Sequence, residues 1–423
     1  MSIVLITSAT LVSPGHKHHL SEVDVLLEKG IIKFIGQPNT IDSQDLEVID
    51  AKGSYLSAGF FDLNANFGEP GLETKEDMQT GIAAAAAGGF TGVAIHPNTN
   101  PAVYSRSEVA LLVNRARGAA VDVHPVGAIS KKRQGEELAE LYDMKLAGAI
   151  AFSDGDRSVQ QAGLLSRALL YAKGFDGLIM AFAQDESIAG GNKMNEGEVS
   201  TYLGMKGVPN LAEELMVARN IQLAAYHDAR IHFSTISTAG SVELIRRAKD
   251  QGLRVTCDVA AHHLLLTDDA VKSFDSNYKV SPPLRTKQDL EALRKGLRSG
   301  IIDAVVSQHT PHEIEFKQVE YHIAADGIAS LQTVLPTLLS AGLSTEEIVE
   351  VLAIRPRKVV GVDLPTFEEG STADFVLFDP KARWTLNQQN NQSKGANSPW
   401  FGQELVGKVL LTGKNGILTY NTK

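Results

Sequence analysis

The chain has 423 residues, which at about 150 residues per domain allows two or three units, or one large α/β barrel with additions. Its 43% hydrophobic and 21% charged residues, with 37 Gly and 15 Pro, are those of a compact globular protein and exclude a disordered or collagen-like chain. A formal net charge of −10 argues against nucleic acid or an anionic membrane as partner, and the single cysteine, Cys257, excludes an intrachain disulfide. A reducing compartment, the cytoplasm by default, is therefore expected. The N-terminal MSIVLITSATLV has no basic segment ahead of its apolar run, so no targeting signal is expected. Met78 to Ser105, the longest uncharged stretch, is broken by Gly, Pro, Asn and Thr well short of the ~20 apolar residues that span a bilayer.

In chain order, residues 1–55 read as short strands, VLITSATLV, DVLLEKG, IIKFIG and LEVIDAKG, separated by turn residues. From residue 56 to 365 strand-like and helix-like runs alternate. Eight strand candidates can be counted: GFFDLNAN, TGVAIHP, VDVHPVG, GAIAFS, GLIMAF, RIHFSTI, RVTCDV and DAVVSQ. Helical candidates such as SVQQAGLLSRALLYAK and NLAEELMVARNIQLAAY lie between them. Such alternation predicts a parallel sheet, and eight units predict a closed (β/α)8 barrel of the TIM type. A helix around STEEIVEVLAI is expected to stop at Arg355-Pro356, after which residues 366–423 return to strands at ADFVLFD, GKVLLTG and NGILTY. These are expected to join the N-terminal strands in one small β-sandwich-like domain built from both termini. The stretch NQQNNQSKGAN reads as a polar surface loop.

Catalytic residues of such a barrel stand at the C-terminal ends of its strands. At the first of these, FDLNANFGEPG resembles the dihydroorotases of the amidohydrolase superfamily, whose motif there is Asp-Leu-His-x-His-Phe/Leu-Arg-Glu-Pro-Gly. Asp62, Leu63, Glu69, Pro70 and Gly71 match it, whereas Asn64 and Asn66 stand at the metal-binding histidines and Gly68 at the substrate-binding arginine. HPNTNPAV is similar to the family's Pro-Asn-Thr-x-Pro, which implies a carboxylate contact for Asn98, and GAIAFSDGD places Asp154 at the metal-bridging carboxylate. Further segments follow in the family's order: STAGSVELIRRAKDQGLRVTCDVAAHHLLLT, YKVSPPLRT, SQHTPHEIEFK and NSPWFGQEL.

The resemblance implies a zinc centre, but its remaining histidine positions are Phe182 and Thr235, and the catalytic aspartate is Gln308. Asp154 alone keeps a usual ligand type. Amide, hydroxyl and phenyl groups do not replace imidazoles on zinc, and a neutral amide does not take a proton from an attacking water. The family's asparagine before Pro-Pro-Leu-Arg is Ser281, and the arginine fork that would clamp a carboxylate is gone at Gly68.

Other histidines carry blander readings. Counting strand parity from Thr235 turns His232 away from the lumen. His262 and His263 match the family's His-His-Leu and read as scaffold hydrogen-bonders, while His309 and His312 are expected just beyond Gln308 at the barrel mouth, with His312 a candidate ligand contact or a loop-ordering residue. His16, His18 and His19 read as a solvated hairpin loop rather than a metal tract. Gly88-Gly89 belongs to no phosphate-binding motif, and Asp154 with Asp156 fits a capping turn ahead of a helix near Ser158. The long connection from Gln184 to Pro209, with Tyr202, is expected to be functional or interface-forming.

The resemblance together with these replacements implies a pseudoenzyme of pyrimidine synthesis, with no catalytic residues, no metal and no cofactor expected. Non-catalytic homologues of this pattern imply aspartate carbamoyltransferase as partner, with a homo-oligomer as a further possibility. Two alternatives stay open: an active dihydroorotase or related cyclic amidohydrolase, zinc-dependent or working through Asp154 and His312, and a sensor that binds a pyrimidine precursor through Asn98 and Asp154.

Overall fold

A computed structural model describes residues 3–421. Five strands open the chain: β1 Ile3–Val12, β2 Glu22–Glu28, β3 Ile31–Gly36, β4 Glu47–Asp50 and β5 Tyr55–Ala58. Eight more follow: β6 Phe60–Ala65, β7 Phe90–Ile95, β8 Asp122–Gly127, β9 Ala151–Phe152, β10 Ile179–Phe182, β11 Ile231–Ser234, β12 Val255–Ala260 and β13 Ala304–Val306. They lie side by side in that order and run parallel. A bridge between Ala65 and His309 brings the first strand to the last, so the sheet is a (β/α)8 barrel.

Most barrel-strand positions are apolar on both faces because the strands are covered on both faces. Phe61, Leu63, Ala94, Val126, Ala151, Met180, Ala304 and Val306 fill the interior. Phe60, Val93, Phe152, Phe233 and Val305 pack outward against the helices, among them Asn210–His227 and Lys287–Arg298.

The chain's last strands, β14 Phe375–Thr385, β15 Glu404–Lys414 and β16 Ile417–Tyr420, extend the N-terminal sheet. β14 is antiparallel to β5, which is parallel to β1, giving the order β16-β15-β14-β5-β1-β2-β3 with β4 also on β1. Both termini thus build one small domain, and strand pairing passes to the barrel at Gly59.

Two sequence expectations are corrected here. His232 faces the barrel interior, since its register partner on β10 is Met180, an interior residue, and Phe233 packs outward. Thr235, from which parity was counted, has φ 54°, so the chain has already turned out of the strand and alternation no longer holds. Nor does Arg355-Pro356 end its helix. Thr345–Val349 passes into a π turn over Glu350–Ile354 and on through Arg355–Val360, with Pro356 in the first turn of that last segment, where no N–H bond is needed.

Candidate functional site

The C-terminal ends of the strands open into a cavity of about 170 Å³. Asn64, Asn66, Asn98, Phe182, Thr235, Ser281 and Gln308, all singled out in the sequence, line it. Gly68, Asp154 and His312 do not, each for a visible reason. The Gly68 carbonyl accepts from Leu72 N–H, and a Cβ there would overlap the carbonyls of Leu72 and Glu76, so the backbone leaves no room for an arginine. Asp154 is turned aside onto Ser130, accepting from its N–H at 2.9 Å and from its hydroxyl at 2.5 Å. His312 is a loop-ordering residue: its Nε2–H donates to Asp326 O at 2.9 Å, and its N–H donates to Asn397 at 2.9 Å.

The amides at the cavity are bonded to each other and to backbone. Two carbonyls that can only accept fix their orientation. Asn66 Nδ2 donates to His309 O at 3.1 Å and Thr310 Oγ1 at 3.0 Å, so its Oδ1 is left to accept from Asn98 Nδ2 at 2.7 Å. Gln308 Nε2 donates to Ser281 O at 2.7 Å. Both amide N–H groups of Asn66 and one each of Asn98 and Gln308 are thereby engaged within the protein. The Asn64 carboxamide has no hydrogen-bond partner among the described residues although the residue is 7% exposed.

Beneath the cavity lies a buried polar floor. His232 Nε2–H donates to Asp258 Oδ2 at 2.8 Å, and its Nδ1 accepts from the Thr256 hydroxyl at 2.8 Å. The other oxygen of Asp258 accepts from Thr235 N–H at 2.6 Å and so positions Thr235 at the cavity. His309 Nδ1 accepts from Ser330 N–H and its Nε2–H donates to buried Glu76 at 3.2 Å. His263 points Nε2 at the carbonyls of Pro282 and Pro283. His262 differs from expectation: neither ring nitrogen has a partner at bonding distance, although Gln308 lies beside it. Asp154 and Asp156 cap nothing either, because the helix begins at Ala162 and Asp156 pairs with Arg133. His16, His18 and His19 sit in the β1–β2 turn, where His16 and His19 accept from nearby backbone N–H groups.

Sequence reasoning missed His96 and the rim. His96 lines the cavity from the end of β7, its Nε2–H on Leu63 O at 3.2 Å. Its position at a strand's C-terminal end was the available signal. Gln184, Glu186 and Lys193, from the long connection flagged as functional, line the cavity, and Lys193 pairs with Asp326 at 3.0 Å across its mouth.

Burial holds three of these histidines neutral: the pKa values of His96, His263 and His312 are each pushed down to about 4. A histidine whose folded value is lowered keeps its full contribution above about pH 6.5 and loses it as pH falls toward 4. Asp62, pushed up to about 7 by burial, acts in the opposite sense over the same range. His262, also lowered by burial, adds to the three, so the histidines outweigh Asp62, protons are taken up on unfolding near pH 5 and stability falls as the pH falls. The urea midpoint at pH 5 is accordingly expected well below that at pH 7.5; equal midpoints would contradict this reading.

A parallel eight-stranded barrel with a polar cavity at its strand ends, carried on a β-domain made from both termini, defines a protein of the amidohydrolase type. The Dihydro-orotase-like family model matches residues 53–241. A protein named Dihydroorotase from Syntrophus aciditrophicus is 40% identical over 422 residues, 99% of each chain. Another, from Geotalea daltonii, is 42% identical over 395 residues, covering 92% of this chain and 93% of its own. Among solved structures, the L-hydantoinase (dihydropyrimidinase) of Arthrobacter aurescens superposes with a TM-score of 0.85 at 25% identity, over 99% of this chain and 96% of its own. The chain belongs to the dihydroorotase-like family.

Zinc, the metal the resemblance implies, does not fit the residues present. Asn64, Asn66, Phe182, Thr235 and Gln308 offer two amides, a ring, a hydroxyl and a third amide already donating to Ser281. The carboxylate of Asp154 is committed to Ser130. Among the described residues no three His, Cys, Asp or Glu side chains converge as a metal site requires. Nor, among the described residues, is any helix long and apolar enough to cross a membrane.

Proposed function

We propose that this protein is a non-catalytic, dihydroorotase-like component of pyrimidine synthesis that works by binding, and that its partner is aspartate carbamoyltransferase. The observation that carries the reading is the contrast between a whole scaffold and a dismantled centre. The eight-stranded barrel and the small domain are whole, while five positions where the resemblance implies ligands or a base hold Asn64, Asn66, Phe182, Thr235 and Gln308. Both amide N–H groups of Asn66 and one each of Asn98 and Gln308 are bonded to protein acceptors, which leaves fewer donors for a substrate carboxylate than the arginine fork the resemblance implies. The partner rests on the family resemblance. Co-expression with aspartate carbamoyltransferase from the same source tests it: the two are expected to co-purify in fixed ratio, and the transferase to lose activity without this chain. Separate elution with undiminished transferase activity would sink the proposal.

The open cavity favours one second reading, a pocket that binds a pyrimidine precursor without converting it. A ligand specific to the folded state raises the melting temperature by mass action. Dihydroorotate or carbamoyl aspartate at millimolar concentration would then give a shift, and no shift for either would exclude it.

A further inference from the structure

The amide-rich loop after β14 reaches the barrel mouth at its far end, where Asn397 Nδ2 donates to Thr310 O and Gly327 O at 3.0 Å each. Its near half rims a second cavity of about 170 Å³, outside the barrel, between the small sheet and the helix Val334–Ser340. Trp384, Leu335 and Pro336 supply the apolar wall. The indole N–H of Trp384 is spent on Gly407 O at 2.8 Å, so the ring contributes apolar surface alone. Gly407 has φ 99°, and a Cβ there would overlap Leu339, so β15 lies tight against the helix and the space opens beside that contact.

The rim is built of carboxamides. Gln332 accepts from Gln392 N–H at 2.8 Å and donates to Asn390 O at 3.0 Å, which holds the loop in place. The Gln389 carboxamide lines the cavity with no hydrogen bond to protein among the described residues, and Lys408 is the one charged residue of the lining. Carboxamides donate and accept side by side, as the edge of a nucleobase does, while an aromatic ring and prolyl and leucyl carbons suit its face. The volume lies below the ~300 Å³ of pockets for drug-sized molecules and fits a single heterocycle.

We propose that this cavity between the small domain and the barrel is a binding site for an uncharged nitrogen heterocycle of nucleobase size. It is separate from the barrel mouth, so its fate and that of the proposed function are decided by different experiments. Ligand-observed saturation-transfer NMR on the full chain, with uridine and adenosine as probes and ribose and orotate as controls, tests it. Saturable transfer to the base protons is expected, at least tenfold weaker affinity in Trp384→Ala, and about threefold weaker in Gln389→Ala, whose exposed side chain does not support the fold. Trp384→Phe should retain most of the binding, which keeps the test valid if Trp384→Ala fails to fold. Asn98→Ala, at the barrel mouth, should leave the signal unchanged. The proposal is overturned by no saturable transfer, by affinities that ignore Trp384 and Gln389, by loss of the signal in Asn98→Ala, or by orotate binding more tightly than uridine.

Discussion

Replacing Arg285 with methionine is expected to cost about 3–5 kcal/mol of unfolding free energy, the range for removing one partner of a buried ion pair. Arg285 is 3% exposed and ties four segments together. Its Nη1 donates to Val208 O at 2.7 Å and Asn195 Oδ1 at 3.1 Å, its Nε donates to Ser237 Oγ at 3.0 Å, and Nη2 lies 3.9 Å from buried Glu213. Methionine fills most of the volume but leaves the Glu213 charge without its cation and takes a donor from three acceptors. Val208 and Asn195 belong to the connection that also supplies Gln184, Glu186 and Lys193 to the cavity. Faster proteolytic cleavage between residues 184 and 209 should therefore accompany the lower urea midpoint. A loss below about 1 kcal/mol would show that the guanidinium is not what holds this loop.

Asp258→Ala should have an effect of similar size, about 3 kcal/mol, because two donors lose their acceptor at once. His232 Nε2–H and Thr235 N–H would both be left unpaired in the barrel floor, where Asp258 and His232 are fully buried. Asp258→Asn keeps an acceptor for Thr235 and should cost roughly half as much. Equal losses in the two variants, measured by urea unfolding at pH 7.5, would contradict this division.

The eight barrel strands were legible because each is a short, nearly unbroken apolar run between turn signals, which is what burial on both faces demands. The joining of both termini was legible in the same way, from strands that lacked a partner sheet of their own. His232 was misplaced because strand parity is local and the left-handed Thr235 interrupts it, which no count of residues reveals. Pro356 misled for a related reason, since a π turn before it absorbs the missing N–H bond.

At the site, the sequence placed Asn64, Asn66, Asn98, Phe182, Thr235, Ser281 and Gln308 together at the strand ends, and the structure brings them to one cavity. What it could not convey is which of their polar atoms are already taken. Asn66 meets His309 and Thr310 only because the last strand closes on the first, 243 and 244 residues away. Likewise Asp154 keeps its ligand-type side chain in the sequence, and its turn toward Ser130 is visible only in three dimensions.

The measurement that bears most directly on the central claim is hydrolysis of dihydroorotate, with the reverse cyclisation of carbamoyl aspartate, by purified protein supplied with zinc or manganese beside an authentic dihydroorotase. The account expects background rates in both directions and zinc far below one equivalent per chain after dialysis. Turnover that survives repurification and disappears in Asp154→Asn would contradict it, and would mean that the chain performs the family's chemistry with a donor set other than the one its relatives use.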